Sequence, residues 1–254
     1  MQNKKIIWLD VGTHFAQEYS AIFGSNFNFF NALIRRLISW KVFGRGHPIS
    51  YSQIRILLES RSFIKRNRNL FYIIFVEANT AIFQSKKIYK EADIAINMAL
   101  TDDTEDGFSL QKLYIKNHEE MSQSSSIYRE KKEKNKQNKD DYMLVNGVTS
   151  AAFMTNLEKY LREKFRDYAL MLRINCEGAE DSVIYSAQDV FGKKLKLISG
   201  SLKDVGVYKG KDALYALNQF IDDKDIKLTY FSPEIHSWSE GFSSILRLVS
   251  QSKD

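Results

Sequence analysis

Acidic residues recur in this chain where short apolar runs stop. Asp10 closes "KIIWLD" with Gly12 two residues on, and Glu77 closes "FYIIFVE". The run "LMLRI" gives way to Asn175, Cys176 and Glu177, with Glu180 and Asp181 following, and "SPEIH" later supplies Glu234 and His236. A glycine in such a turn lets the backbone approach a ligand, and the helix after it offers free N–H groups to an anion. An acid at the tip of the next strand can accept hydrogen bonds from both hydroxyls of a ribose. Asp10 and Glu77 at corresponding tips therefore favour a nucleoside cofactor. Taken singly, each also reads as an ordinary turn or a solvated strand end, since a dinucleotide fingerprint would need three glycines where "LDVGTHFAQE" has one. Acids such as Glu180 and Asp181 suit the first turn of a helix through its dipole. Cys176 reads as a small buried strand residue rather than a nucleophile. His47 and His118 have no ligand-spaced partner, and without a Cys/His cluster no metal site is expected.

The elements that must hold these residues follow from periodicity. Strands are expected in "KIIWLDVG", 71–79, 92–100, "FSLQKLYI", "YALMLRINCEG", 194–202 and 226–236, and helices over 14–23, 80–90, 155–167, 179–190 and 211–222. Near-continuous apolar strands alternating with amphipathic helices indicate a largely parallel sheet covered on both faces. Ligands in such α/β folds bind beyond the carboxyl ends of the strands, where the acids collect.

Two segments break the rhythm. Residues 24–70 hold two amphipathic patterns with nine Lys or Arg and only Glu59 as an acid, and read as a basic helical insertion. Residues 118–141 are polar and of low complexity and read as a flexible loop with little to bury. At 254 residues, 44% hydrophobic and 27% charged, the chain suits one domain over 1–254. Its single cysteine excludes an internal disulfide, and with no apolar stretch suited to a leader or a span, a cytoplasmic location is expected. The net charge of +6 permits an anionic partner without requiring one.

Taken in order, "LDVGTHFAQ", "FVEANTAIF", "INMALTDDTEDG", "LMLRINCEGAEDSVI" and "SPEIH" resemble the landmarks of the FkbM family of S-adenosylmethionine-dependent methyltransferases. The resemblance runs from residue 6 to about 240, outside the two irregular segments. It implies a Rossmann-like class I methyltransferase fold, with a mostly parallel seven-stranded sheet, helices on both faces and the helical insertion. It also implies that Asp10, Gly12, Thr13 and His14 surround the methionine part of the cofactor. Glu77 would hold the ribose with Ala78 and Asn79 beside it, and Ala99 and Leu100 would border the adenine. The chain departs from the pattern at Ala16 for glycine, Ala78 for proline, Arg173 for lysine and Asn175 for aspartate. Asn175 can orient a hydroxyl but cannot take its proton at neutral pH.

The expected activity is O-methylation of a hydroxyl on a sugar or glycan, the acceptor class following from the resemblance alone. With Asn175 unable to act as a base, His236 is the expected proton acceptor, with Glu177 second, and metal-independent transfer is expected. The alternatives are a nucleic-acid-directed methyltransferase or binding module using the basic insertion, and a degenerate cofactor-binding protein without catalysis.

Overall fold

The computed structural model describes residues 4–27, 29–31, 33–34, 51–102, 108–115, 125–128, 141–229 and 235–253, except the side chains of 51 and 235–237. The expected parallel sheet is present and has six strands among these residues. They are β1 (Lys5–Val11), β2 (Phe71–Glu77), β3 (Ile94–Asn97), β7 (Tyr168–Ile174), β8 (Leu195–Gly200) and β9 (Lys227–Thr229). The order β3-β2-β1-β7-β8-β9, with every neighbouring pair parallel, is a Rossmann-like doubly wound arrangement. The chain leaves β1 on one side and resumes at β7 on the other, so the tips of β1 and β7 flank the topological switch point.

Strand parity builds the two covering layers. Ile6 and Trp8 of β1, Ile73 and Phe75 of β2 and Met171 of β7 face one side. They pack there against α1 (Gln17–Phe23), α2 (Tyr51–Arg66) and α8 (Ile235–Gln251). Ile7, Leu9, Ile74, Leu170 and Leu172 face the other. That side is covered by α4 (Ser150–Lys164), α5 (Glu180–Phe191) and α7 (Lys211–Asp223). Burial on both faces explains why these strands read as unbroken apolar runs.

The structure corrects the expected seven strands. The segment "FSLQKLYI" forms β5 (Phe108–Tyr114), which pairs antiparallel with β6 (Tyr142–Thr149) in a separate three-stranded sheet, order β4-β6-β5. Phe108, Leu110 and Leu144 on its outer face are more than half exposed, a one-sided burial that a doubly covered parallel sheet cannot supply. The expected strand 92–100 divides into β3 and β4 (Ala99–Thr101). The Asn97 amide donates to the carbonyls of Glu77 and Ala78, the pairing with β2 stops there, and the next residues pair with β6.

The expected strand 226–236 pairs only over Lys227–Thr229. Ile235–Gln251 is helical because Trp238, Phe242, Ile245 and Leu248 recur every three or four residues and are buried together. Helix α4 begins earlier than expected, where the Thr149 hydroxyl accepts from the Ala152 N–H at 3.2 Å as its cap.

In the basic insertion, the described helix α2 packs against α8 and α1 on a face of the sheet. Its Leu57 and Ile64 are fully buried beside Phe29, so the interleaved aromatics serve the core there. Arg61 is committed internally, donating to the carbonyls of Ala21 and Gly24 and to Asn26. Residues 35–50, the rest of that insertion, lie outside the described residues. So does most of the polar segment 118–141. Within it, Ser125 and Ser126 are buried, so a part of the stretch read as a flexible loop packs against the fold.

Candidate functional site

A cavity sits beyond the carboxyl ends of β1, β2 and β7, at the switch point. It is lined by Val11, Gly12, His14, Glu77, Ala78, Met98, Ala99, Leu100, Leu113, Ser125, Ile127, Asn175 and Cys176. Its volume is about 40 Å³, room for a few water molecules.

The turn after β1 is held by hydrogen bonds that tie it to the ends of β2 and β7. Gly12 adopts φ +70°, and a side chain there would put its Cβ 2.0 Å from the Asn175 carbonyl oxygen, so only glycine lets the two strand ends approach. The Gly12 N–H donates to Val76 O at 2.9 Å, and the Thr13 hydroxyl donates to Asp10 O at 2.8 Å. Asn175 N–H donates to Val11 O at 3.0 Å, joining the tips of β1 and β7.

Glu77 is the most informative side chain. Its two carboxylate oxygens accept from the N–H groups of His14 and Asn79, both at 2.8 Å, so one acid fixes the turn after β1 and the turn after β2. Burial pushes its carboxyl up to about 7, against those two N–H bonds, which favour the ionised form. His14, at φ +50°, is pushed down to about 4 by burial and by Arg173 and is neutral at pH 7.

Asp10 does not face the cavity, contrary to the expectation that it surrounds a ligand. In the β1–β7 ladder it is the register partner of Arg173, on the face that α1 covers. The Arg173 guanidinium donates to Asp10 Oδ1 at 3.2 Å and to the Gly12 carbonyl at 2.6 Å, and pairs with Glu18 of α1 at 3.0 Å. Burial raises the Asp10 carboxyl to about 6, Arg173 pulls it down, and its Oδ2 is buried without a partner. Arg173 stays charged although its burial opposes this, because Glu18 and Asp10 together outweigh that penalty. The arrangement was readable in part: Asp10 shares its parity with Trp8, and Arg173 is the one charged residue of β7.

Of the other expected contacts, Ala78, Ala99 and Leu100 line the cavity, giving it an apolar wall with Met98 and Leu113. Thr13 is fully buried below the turn. Asn79 Oδ1 caps helix α3 (Thr80–Ser85), accepting from Ala81 and Ile82, so its amide group has a structural task.

On the far rim Asn175 and Cys176 line the cavity, and the Cys176 thiol is held neutral chiefly by burial. Glu177 turns at φ +51° ahead of Gly178. Glu180 lies beneath that turn, accepting from Cys176 N–H at 3.1 Å and Gly178 N–H at 2.8 Å, and burial lifts its carboxyl to about 7. It therefore ties the loop together as Glu77 ties the other two turns. Asp181 pairs with Lys209 at 2.6 Å, and Lys209 also reaches Asp102 at 3.0 Å.

His236 falls in the first turn of α8, not at the end of a strand; its side chain and Glu234 lie outside the described residues. Among the described residues no group of three His, Cys, Asp or Glu could hold a metal ion, and no helix is long and apolar enough to cross a membrane.

The residues that sequence reasoning missed are Ser125, Ile127 and Tyr128 above the cavity, with Asp102 and Lys209 beside them. The one signal for them was the apolar pair Ile127–Tyr128 inside an otherwise polar run. No known protein family, curated protein or solved structure matches the chain.

Proposed function

We propose that the switch-point cavity receives the nucleoside end of S-adenosylmethionine, and that the protein is an FkbM-like O-methyltransferase acting on a hydroxyl of a sugar or glycan. One observation carries the reading: Glu77, an acid at the tip of β2, lines the same cavity as the glycine turn of β1 and the apolar wall of Ala99 and Leu100. An acid for two ribose hydroxyls beside an apolar wall for a base is the chemistry a nucleoside needs. The fit is chemical; at about 40 Å³ the cavity must widen to admit the ligand. When bound, the cofactor would supply an already activated methyl group. What is then required of the chain is alignment of the acceptor oxygen and removal of its proton. Asn175 would orient the hydroxyl, and His236 or Glu177 would take the proton without a metal ion.

Calorimetry with S-adenosylhomocysteine, followed by transfer of labelled methyl groups to a panel of glycans and nucleosides, tests the reading. Absence of binding at millimolar ligand, with the fold intact, would remove it. Binding without transfer to any acceptor would favour the degenerate cofactor-binding protein. Of the bases on which the nucleic-acid alternative draws, Arg61 and Lys65 are already employed by the fold, both donating to the Gly24 carbonyl.

A further inference from the structure

Ligand sites for nucleoside-sized molecules span about 300–1,000 Å³, and this cavity has about 40 Å³. Some wall must move, and the walls are unequal. Those from β1, β2 and β7 are tips of the central ladder, tied by Gly12 N–H to Val76 O and Asn175 N–H to Val11 O. The wall made by Ser125 and Ile127 belongs to no named strand or helix.

The anchors of that segment can be named. Ser126 exchanges both backbone bonds with Tyr114, at 2.8 and 3.2 Å. The Ser126 hydroxyl donates to the Glu177 carbonyl at 2.6 Å and accepts from Tyr128 N–H at 3.0 Å. Beyond it the Tyr128 hydroxyl donates to Asp102 Oδ2 at 2.5 Å, and Lys209 holds the same carboxylate while lying 5.2 Å from the Tyr128 ring. The Tyr128 ring packs against Tyr208 at 5.8 Å, over Gly178, where an added Cβ would meet both rings at 3.0 Å or less.

We infer that residues 125–128 form a strap that closes the cavity, and that the Tyr128–Asp102–Lys209 cluster is its latch. The strap joins the outer sheet at Tyr114 to the rim at Glu177, so lifting it opens the cavity and frees the Glu177 carbonyl in one movement. Its occupant, a nucleoside, rests on the function proposed above; the latch does not.

Hydrogen–deuterium exchange on the full chain reads the strap directly, because Ser126 N–H is bonded to the Tyr114 carbonyl and Tyr128 N–H to the Ser126 hydroxyl. Tyr128→Phe removes the latch donor and should speed exchange at these two amides about tenfold, equivalent to about 1.4 kcal/mol. Amides of β1 and β7 should not change. Asp102→Asn, which keeps an acceptor, should give a smaller increase in the same amides and guards against a folding defect in the first variant. S-adenosylhomocysteine should associate about tenfold faster with Tyr128→Phe than with the wild type. Unchanged exchange in both variants would overturn the latch, and unchanged association with accelerated exchange would overturn the strap as the gate. Accelerated exchange with no binding to any variant would uphold strap and latch and remove the nucleoside reading instead.

Discussion

Glu77 makes the pH dependence of stability a direct test of the site. Its folded carboxyl is raised to about 7 from an ordinary value of 4.5, chiefly by burial. A group whose folded value is raised contributes stability that is complete below the unfolded value and lost as pH rises through the folded one. For Glu77 that window is roughly pH 4.5 to 7, and between pH 5 and pH 8 the loss amounts to roughly 2–3 kcal/mol. Glu77→Gln abolishes the titration but keeps only one acceptor oxygen, so either His14 N–H or Asn79 N–H is left facing a donor. That defect should cost about 1–3 kcal/mol at pH 5. Asp10 and Glu180 are raised as well and titrate in both proteins, so they cancel in the comparison. Urea unfolding, followed by the fluorescence of buried Trp8 and Trp238 at each pH unit from 5 to 8, gives the two curves. The wild-type advantage should shrink by roughly 2–3 kcal/mol across the series. Curves that run parallel would mean that Glu77 is ionised throughout, and the account of its burial would fail.

If ribose hydroxyls donate to ionised Glu77, S-adenosylhomocysteine should bind about tenfold more tightly at pH 8 than at pH 6; calorimetry showing no change would separate Glu77 from the ligand. Gly12→Ala should lose more than about 3 kcal/mol, because its Cβ meets the Asn175 carbonyl in a left-handed conformation, and a near-normal melting temperature would refute the close approach of β1 and β7. Arg173→Met leaves the fully buried Asp10 and the partly buried Glu18 without their cation and should destabilise by about 3–5 kcal/mol at neutral pH, with partial recovery near pH 5 as Asp10 protonates. His236→Ala should lower turnover about 10²- to 10⁴-fold without altering S-adenosylhomocysteine affinity, and normal turnover would return the proton to Glu177 or solvent.

The central sheet was legible because two-sided burial writes itself as apolar runs, and of the acids that end those runs Glu77 faces the switch-point cavity. Glu77, Gly12, Ala99 and Leu100 all line the cavity. Ala99 and Leu100 followed only from the resemblance, whereas Glu77 and Gly12 could be placed at the switch point from position alone. Asp10 could not, since its role depends on which residue lies beside it in the ladder, and Arg173 is 163 positions away. The outer sheet was misread because β5 alternates polar and apolar residues, and a strand of that kind does not state which sheet it joins. The strap was invisible for a different reason: four residues held by hydroxyls and backbone groups leave no hydrophobic period. Helix α8 had a clear period but was not among the expected helices, the strand expected through 226–236 having been taken as the last element.

The two sheets differ in how they end. The main sheet terminates in β3 and β9, four and three residues long, which offer an approaching chain little to pair with. The outer sheet ends in β5, seven residues long, with Phe108 and Leu110 exposed on its face and Lys112 next along that same face. Self-association at high concentration or on mild warming would therefore begin on the exposed face of β5. In that setting Lys112 acts as a gatekeeper, since pairing copies of β5 would require its charge to be buried or repelled. A charged residue in place of Leu110 would protect the preparation at a surface remote from the fold's main core.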